Sequence, residues 1–205
     1  MGALGATVLL AACGSGARQD ANEPSGRFPV DIRAATFPGS QRLSEHTQLV
    51  ISVRNSGSKT IPDIAVTILN PKDGTAAQAF SQDVASSPGE DLASHSRPVW
   101  IIDKPPGPCL YSCRQGGPGS AVTAYSNTWA LGALAPGKTA TFSWGVTAVQ
   151  PGHYNVKYQI VAGLNGKAKA VDAAGAQPSG TFAVTIHQAP QQAYVNNAGQ
   201  IVTKP

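Results

Sequence analysis

Along residues 139–148 the side chains alternate without a break. Ala140, Phe142, Trp144, Val146 and Ala148 fall on one face, with Thr139, Thr141, Ser143, Gly145 and Thr147 on the other. A period of two puts successive side chains on opposite sides of an extended chain, so this segment is a strand with one dry and one wet face. Tyr154, Val156, Tyr158, Ile160 and Ala162 repeat the pattern against His153, Asn155, Lys157, Gln159 and Val161. Shorter versions occur at Leu49, Ile51 and Val53, at Ile64, Val66 and Ile68, and at Phe182, Val184 and Ile186. Turn-forming pieces separate them: Asn55-Ser56-Gly57, Pro136-Gly137, Pro151-Gly152 and Pro178-Ser179-Gly180. Beyond the apolar N-terminal stretch, no window carries a helical spacing of apolar residues. Two sheets packed face to face bury such stripes, whereas one sheet leaves a stripe wet, so the pattern predicts an all-β sandwich over residues 27–187. Charged residues make up only 13% of the chain, beside Gly 22 and Pro 16, which excludes a coiled coil, a charged helical bundle and a polytopic membrane protein.

Leu49-Val50-Ile51-Ser52-Val53-Arg54-Asn55-Ser56-Gly57, followed by Ile61-Pro62-Asp63-Ile64-Ala65-Val66, resembles the opening of CARDB-like and related bacterial immunoglobulin-like domains. In those domains a strand ends in an Asn-x-Gly turn and the next begins after a short polar connection. Leu134–Phe142 and Pro151–Val156 resemble their later strands, so the likeness covers roughly half of the chain. It implies an immunoglobulin-like antiparallel β-sandwich. It implies no particular activity, because such modules serve as spacers, adhesins and docking surfaces.

The departure from that pattern is a loop-rich insertion at about 70–127, too long for an ordinary interstrand loop. It contains one expected strand, Pro98–Asp103, and then a Pro/Gly-rich loop holding Cys109 and Cys113. Long loops at one end of a sandwich commonly carry binding, the alternatives being a lid over a sheet edge or a plain loop. Trp100 on that strand, Tyr111 in the Cys loop and Trp129 just past the insertion are the candidate binding residues, while Trp144 sits on a core stripe.

The N-terminus reads as an address. Residues 1–12 are uncharged and mostly apolar, too short to span a bilayer, and Leu10-Ala11-Ala12-Cys13 resembles the lipobox of bacterial lipoproteins. That resemblance implies a lipid on the Cys13 thiol and cleavage before it. No Lys or Arg precedes Arg18, so the usual basic n-region is absent, which points to a start upstream of Met1 or a misassigned start codon. Myristoylation at Gly2 fails because Ala6 stands where Ser or Thr is needed. Residues 13–26 are small, polar and turn-rich, as a flexible tether should be. With Cys13 taken by lipid, Cys109 and Cys113 remain as an even pair, and an oxidising exterior favours a small disulfide ring. A metal pair, a redox C-x-x-x-C and two free thiols stay open as alternatives. Residues 188–205 form a C-terminal extension in which Tyr194–Val202 predicts a hairpin turning near Asn196–Gly199.

The chain holds no nucleophile elbow, P-loop, dinucleotide fingerprint, zincin or EF-hand motif. His46, His95, His153 and His187 are scattered, although His153 and His187 fall on the polar faces of strands expected to be neighbours. Asp83, Glu90 and Asp91 gather near His95, the one grouping that could hold a hard cation. A net charge of +4 comes without any basic run, which argues against nucleic acid. The expectation is a non-catalytic, lipid-anchored module at the cell membrane, facing the extracytoplasmic side. It needs no cofactor and has a protein or cell-wall polymer as partner. One alternative is a metal-handling or enzymatic accessory lipoprotein using the insertion around Cys109 and Cys113; another is a plain architectural spacer.

Overall fold

The computed structural model describes residues 22–69, 79–81, 98–107, 121, 123, 127–190 and 192–203, and every regular element among them is a strand. In chain order these are β1 (Gly26–Thr36), β2 (Ser40–Leu43), β3 (His46–Asn55), β4 (Ala65–Leu69), β5 (Phe80–Ser81), β6 (Trp100–Lys104), β7 (Thr128–Ala130), β8 (Thr139–Ala148), β9 (Gly152–Val161), β10 (Ala168–Val171), β11 (Ser179–Pro190), β12 (Ala193–Val195) and β13 (Ile201–Thr203). One sheet runs β10-β1-β3-β8-β6-β5 and the other β2-β11-β9-β4-β7, with β12 and β13 forming a separate pair. Placing β1, β3, β8 and β6 side by side against β11, β9 and β4 reproduces the A-B-E-D and G-F-C sheets of an immunoglobulin-like sandwich. The first strand of that scheme is divided between the layers. β1 pairs antiparallel with β3, the chain crosses at the buried Phe37, and β2 then pairs parallel with β11.

The alternating stripes meet between the layers. Leu49, Ile51 and Val53 stand opposite Trp144, Phe142 and Ala140, and all six are buried. Val66, Ile68, Tyr154, Val156, Tyr158 and Ile160 face them from the second sheet and are buried as well. At the start of β9, Tyr154 donates its hydroxyl to the Pro151 carbonyl at 2.9 Å, closing the corner where the chain passes from β8 to β9. This is the position of the tyrosine corner in immunoglobulin-like domains, where a hydrogen bond fixes the crossing between sheets.

Register also fixes the two ends of the sandwich. β1 begins at the end where β3 finishes, Val30 lying opposite Asn55. β11 finishes at the other end, Ile186 lying opposite Gly152, where β8 turns into β9. The chain therefore enters the sandwich at one end and leaves toward its C-terminal hairpin at the other.

Some polar groups inside the fold are bonded to the main chain, whereas Thr47 Oγ1, Gln150 Oε1 and the indole nitrogens of Trp129 and Trp144 are buried without a partner among the described residues. Asn55 is fully buried, donates to the Lys59 and Leu134 carbonyls at 2.8 Å each, and accepts from the Gly57 N–H at 3.0 Å. Asp63 accepts the Gly132 N–H at 3.0 Å. Burial pushes the Asp63 carboxyl above its ordinary value of 3.8, the Gly132 bond opposes this, and the charge of Glu23 adds to the rise. A raised carboxyl pKa means the folded state binds the proton more tightly, so stability falls as pH climbs from about 3.8 through the raised value. Asp63→Asn keeps an acceptor for Gly132 and removes the titration. The melting temperature of the variant should therefore gain on the parent from pH 3 to neutrality and then run parallel; a constant difference across that range contradicts it.

Candidate functional site

Cys13, Cys109, Tyr111 and Cys113 lie outside the described residues, as do Asp83, Glu90, Asp91 and His95. Trp100 and Trp129 are described, and both belong to the core, 0% and 4% exposed. Trp100 packs its ring 5.3 Å from Phe37, 5.6 Å from Phe80 and 5.5 Å from Tyr154, and its indole N–H donates to Gln41 Oε1 at 2.7 Å. Gln41, itself buried, returns its amide to the Pro38 carbonyl at 2.9 Å. Trp129 stands edge-on to Trp144 at 5.5 Å, an arrangement that sets the positive ring edge against the negative face. This packing places the candidate binding residues Trp100 and Trp129 in the core and not at the surface. Lying in or beside the insertion in sequence put neither of them at the surface, because each is an inward position of its own strand.

The outward face of the larger sheet is polar, and its side chains are engaged with one another across strands. Gln48 donates to Ser143 at 2.8 Å, and the Ser52 and Thr141 hydroxyls share a bond at 2.9 Å. Where β6 meets β8 the register shifts between Ile102 and Lys104, a bulge that sets two residues of β6 against Gly145. A bulge re-aims side chains, and this one presents Asp103 and Lys104 beside His46. Asp103 Oδ2 accepts the Thr147 hydroxyl at 2.7 Å and lies 2.8 Å from His46 Nδ1. His46 and Asp103 are 64% and 39% exposed, so the pair is open to solvent. The imidazole edge lies over Gly145, where a Cβ would come within 3.1 Å of His46 Cε1 and 3.3 Å of Lys104 Cβ. Only glycine leaves that space clear. Nε2 lies over the same glycine, 3.4 Å from where a Cβ would stand.

This cluster was not legible in the sequence, since the bulge that assembles it has no marker in residue spacing. It can hydrogen-bond a polar group from outside. Among the described residues no three His, Cys, Asp or Glu side chains gather as metal ligands do. The two histidines expected on neighbouring polar faces each find a hydroxyl: His153 lies 3.0 Å from Thr185 Oγ1 and His187 lies 3.1 Å from Ser40 Oγ.

The second candidate surface is the hairpin of β12 and β13, where the expected turn is present. Asn196 Oδ1 accepts the N–H groups of Ala198 and Gln200 at 3.0 and 2.9 Å, and Gly199 takes a φ of 77°. Tyr194, Val195 and Ile201 are 56%, 65% and 78% exposed, the exposed large apolar side chains of the described residues. Register sets Tyr194 opposite Val202 and Val195 opposite Ile201, so the two faces of the hairpin each carry an apolar pair.

No protein-family model matches the sequence, and no curated protein matches it. Among solved structures the chain is similar to the CARDB domain of a Pyrococcus furiosus protein, whose crystal structure holds di-metal ions. The identity is 11%, over 80% of this chain and 93% of that one, with a TM-score of 0.40. It is also similar to Escherichia coli alpha-2-macroglobulin, at 14% identity over 81% of this chain and 7% of that one, with a TM-score of 0.41. A PapD-like domain of a human protein aligns at 13% identity over 80% of this chain and 87% of that one, with a TM-score of 0.35.

Proposed function

We propose that this protein is a lipid-anchored, non-catalytic module that holds an immunoglobulin-like sandwich on the extracytoplasmic side of a membrane and presents its far end to a protein or cell-wall polymer. The immunoglobulin-like fold makes it a binding or structural module. One observation carries the finer reading: the chain enters at one end of the sandwich and its apolar hairpin follows from the other. An anchor at Cys13 and a tether up to the first strand put the entry end toward the lipid. The hairpin, with Tyr194, Val195 and Ile201 open to solvent, then points away from it. Exposed apolar side chains on a pair of strands suit a contact surface rather than a solvated tail. Among the described residues no helix is long and apolar enough to cross a membrane.

Detergent phase partitioning of protein made in a bacterial host that processes lipoproteins tests the anchor. The parent is expected in the detergent phase and Cys13→Ala in the aqueous phase, a shift of most of the material. Equal partitioning of the two removes the anchor and with it the assigned orientation.

A further inference from the structure

At the entry end, the chain is fastened before its first strand begins. Glu23 Oε2 accepts the Asn165 N–H at 2.7 Å and Oε1 accepts the Ala168 N–H at 2.6 Å. Both donors are main-chain groups, Asn165 in the loop from β9 to β10 and Ala168 as the first residue of β10, so each contact is a charge-assisted bond to a fixed partner. Gly163 makes room for this, since a Cβ there would collide with the Glu23 carboxylate. Beyond Glu23 the Gly26 N–H donates to the Lys167 carbonyl at 3.1 Å, and β1 runs parallel to β10 from Gly26 opposite Ala168 to Pro29 opposite Val171. β10 is a short edge strand of four residues held on one side only, in the parallel arrangement that is the weaker of the two pairings. Such an edge needs a fastening.

We propose that Glu23 is a plug: its carboxylate, seated over Gly163, holds the entry strap of residues 23–29 and the edge strand β10 closed against each other. With the plug seated, β10 covers the main-chain edge of β1. With it withdrawn, the Asn165 and Ala168 amides lose these acceptors and the β10 edge loses its fastening to the strap. The plug sets where the N-terminal segment leaves the domain, and it does so whether or not Cys13 carries lipid. The Asp63 carboxyl nearby feels the Glu23 charge, which supports the seating of that carboxylate at this end of the sandwich.

Amide hydrogen exchange by NMR on the full chain tests the plug in the parent, Glu23→Gln, Glu23→Ala and Gly163→Ala. In Glu23→Ala the Asn165 and Ala168 amides should exchange about tenfold faster or more, while amides of β3 and β8 keep their protection. Glu23→Gln should fall between, retaining one acceptor oxygen and losing the charge. Gly163→Ala should reproduce the alanine result, because the added methyl occupies the place of the carboxylate. Unchanged exchange at both amides overturns the proposal. So does loss of protection across the whole sandwich, or failure to fold, since either makes Glu23 a residue of global stability and not a local closure.

Discussion

Asn55→Ala is expected to destabilise the domain by about 3 kcal/mol, among the largest effects available from one side chain. Three main-chain groups bond to this amide. The Lys59 and Leu134 carbonyls take its two N–H donors and the Gly57 N–H gives to its oxygen. Asn55 also anchors the start of β8 through its own backbone, donating to the Lys138 carbonyl and accepting the Gly137 N–H, both at 2.9 Å. Alanine keeps the backbone bonds, takes this partner from the Lys59 carbonyl and the Gly57 N–H, and leaves the Leu134 carbonyl its bond from the Ile61 N–H at 3.0 Å; each buried group left unpaired costs roughly 1–3 kcal/mol. Asn55→Asp sharpens the test. Aspartate has almost the same shape but cannot donate to two carbonyls, and its charge is buried beside them, so it should be at least as damaging as alanine. Urea unfolding followed by tryptophan fluorescence reads both as lower midpoints at unchanged slope. A midpoint for Asn55→Ala within about 0.5 kcal/mol of the parent contradicts the assignment.

Trp100→Ala should cost about 3–5 kcal/mol, equivalent to roughly 10 °C in melting temperature for a chain of this size. The indole fills the space between Phe37, Phe80 and Tyr154 and supplies the donor for the buried Gln41. Trp100→Phe separates these contributions by keeping most of the ring packing and removing the N–H. It leaves Gln41 Oε1 without its donor, at about 1–3 kcal/mol. Replacing the amide as well, in Trp100→Phe with Gln41→Leu, removes both members of the pair and should restore part of that loss. If Trp100→Ala melts with the parent, the indole lies outside the core and a surface role returns.

How much could be read beforehand follows from what each segment buries. Strands β3, β4, β8, β9 and β11 carry alternating apolar stripes because each has a dry face, and those stripes are buried apart from the half-buried Phe182. β1 escapes such a reading. Phe28 and Val30 are buried, but the register shifts between Ile32 and Ala34, so its stripe breaks halfway. β2 escapes for a different reason: its inward residue is Gln41, a polar side chain made acceptable by the Trp100 N–H. The hairpin turn was legible because Asn196 and Gly199 do chemistry specific to tight turns. His46 and Asp103 come from strands far apart in the chain and meet through a bulge, which no local pattern announces.

Because β1 starts at one pole and β11 stops at the other, tension between the two termini runs along the strand axes. Hydrogen bonds between strands lie across that direction, so a whole row is sheared at once instead of being unzipped one rung after another. A fibre-like mechanical resistance is thus inherent in the topology.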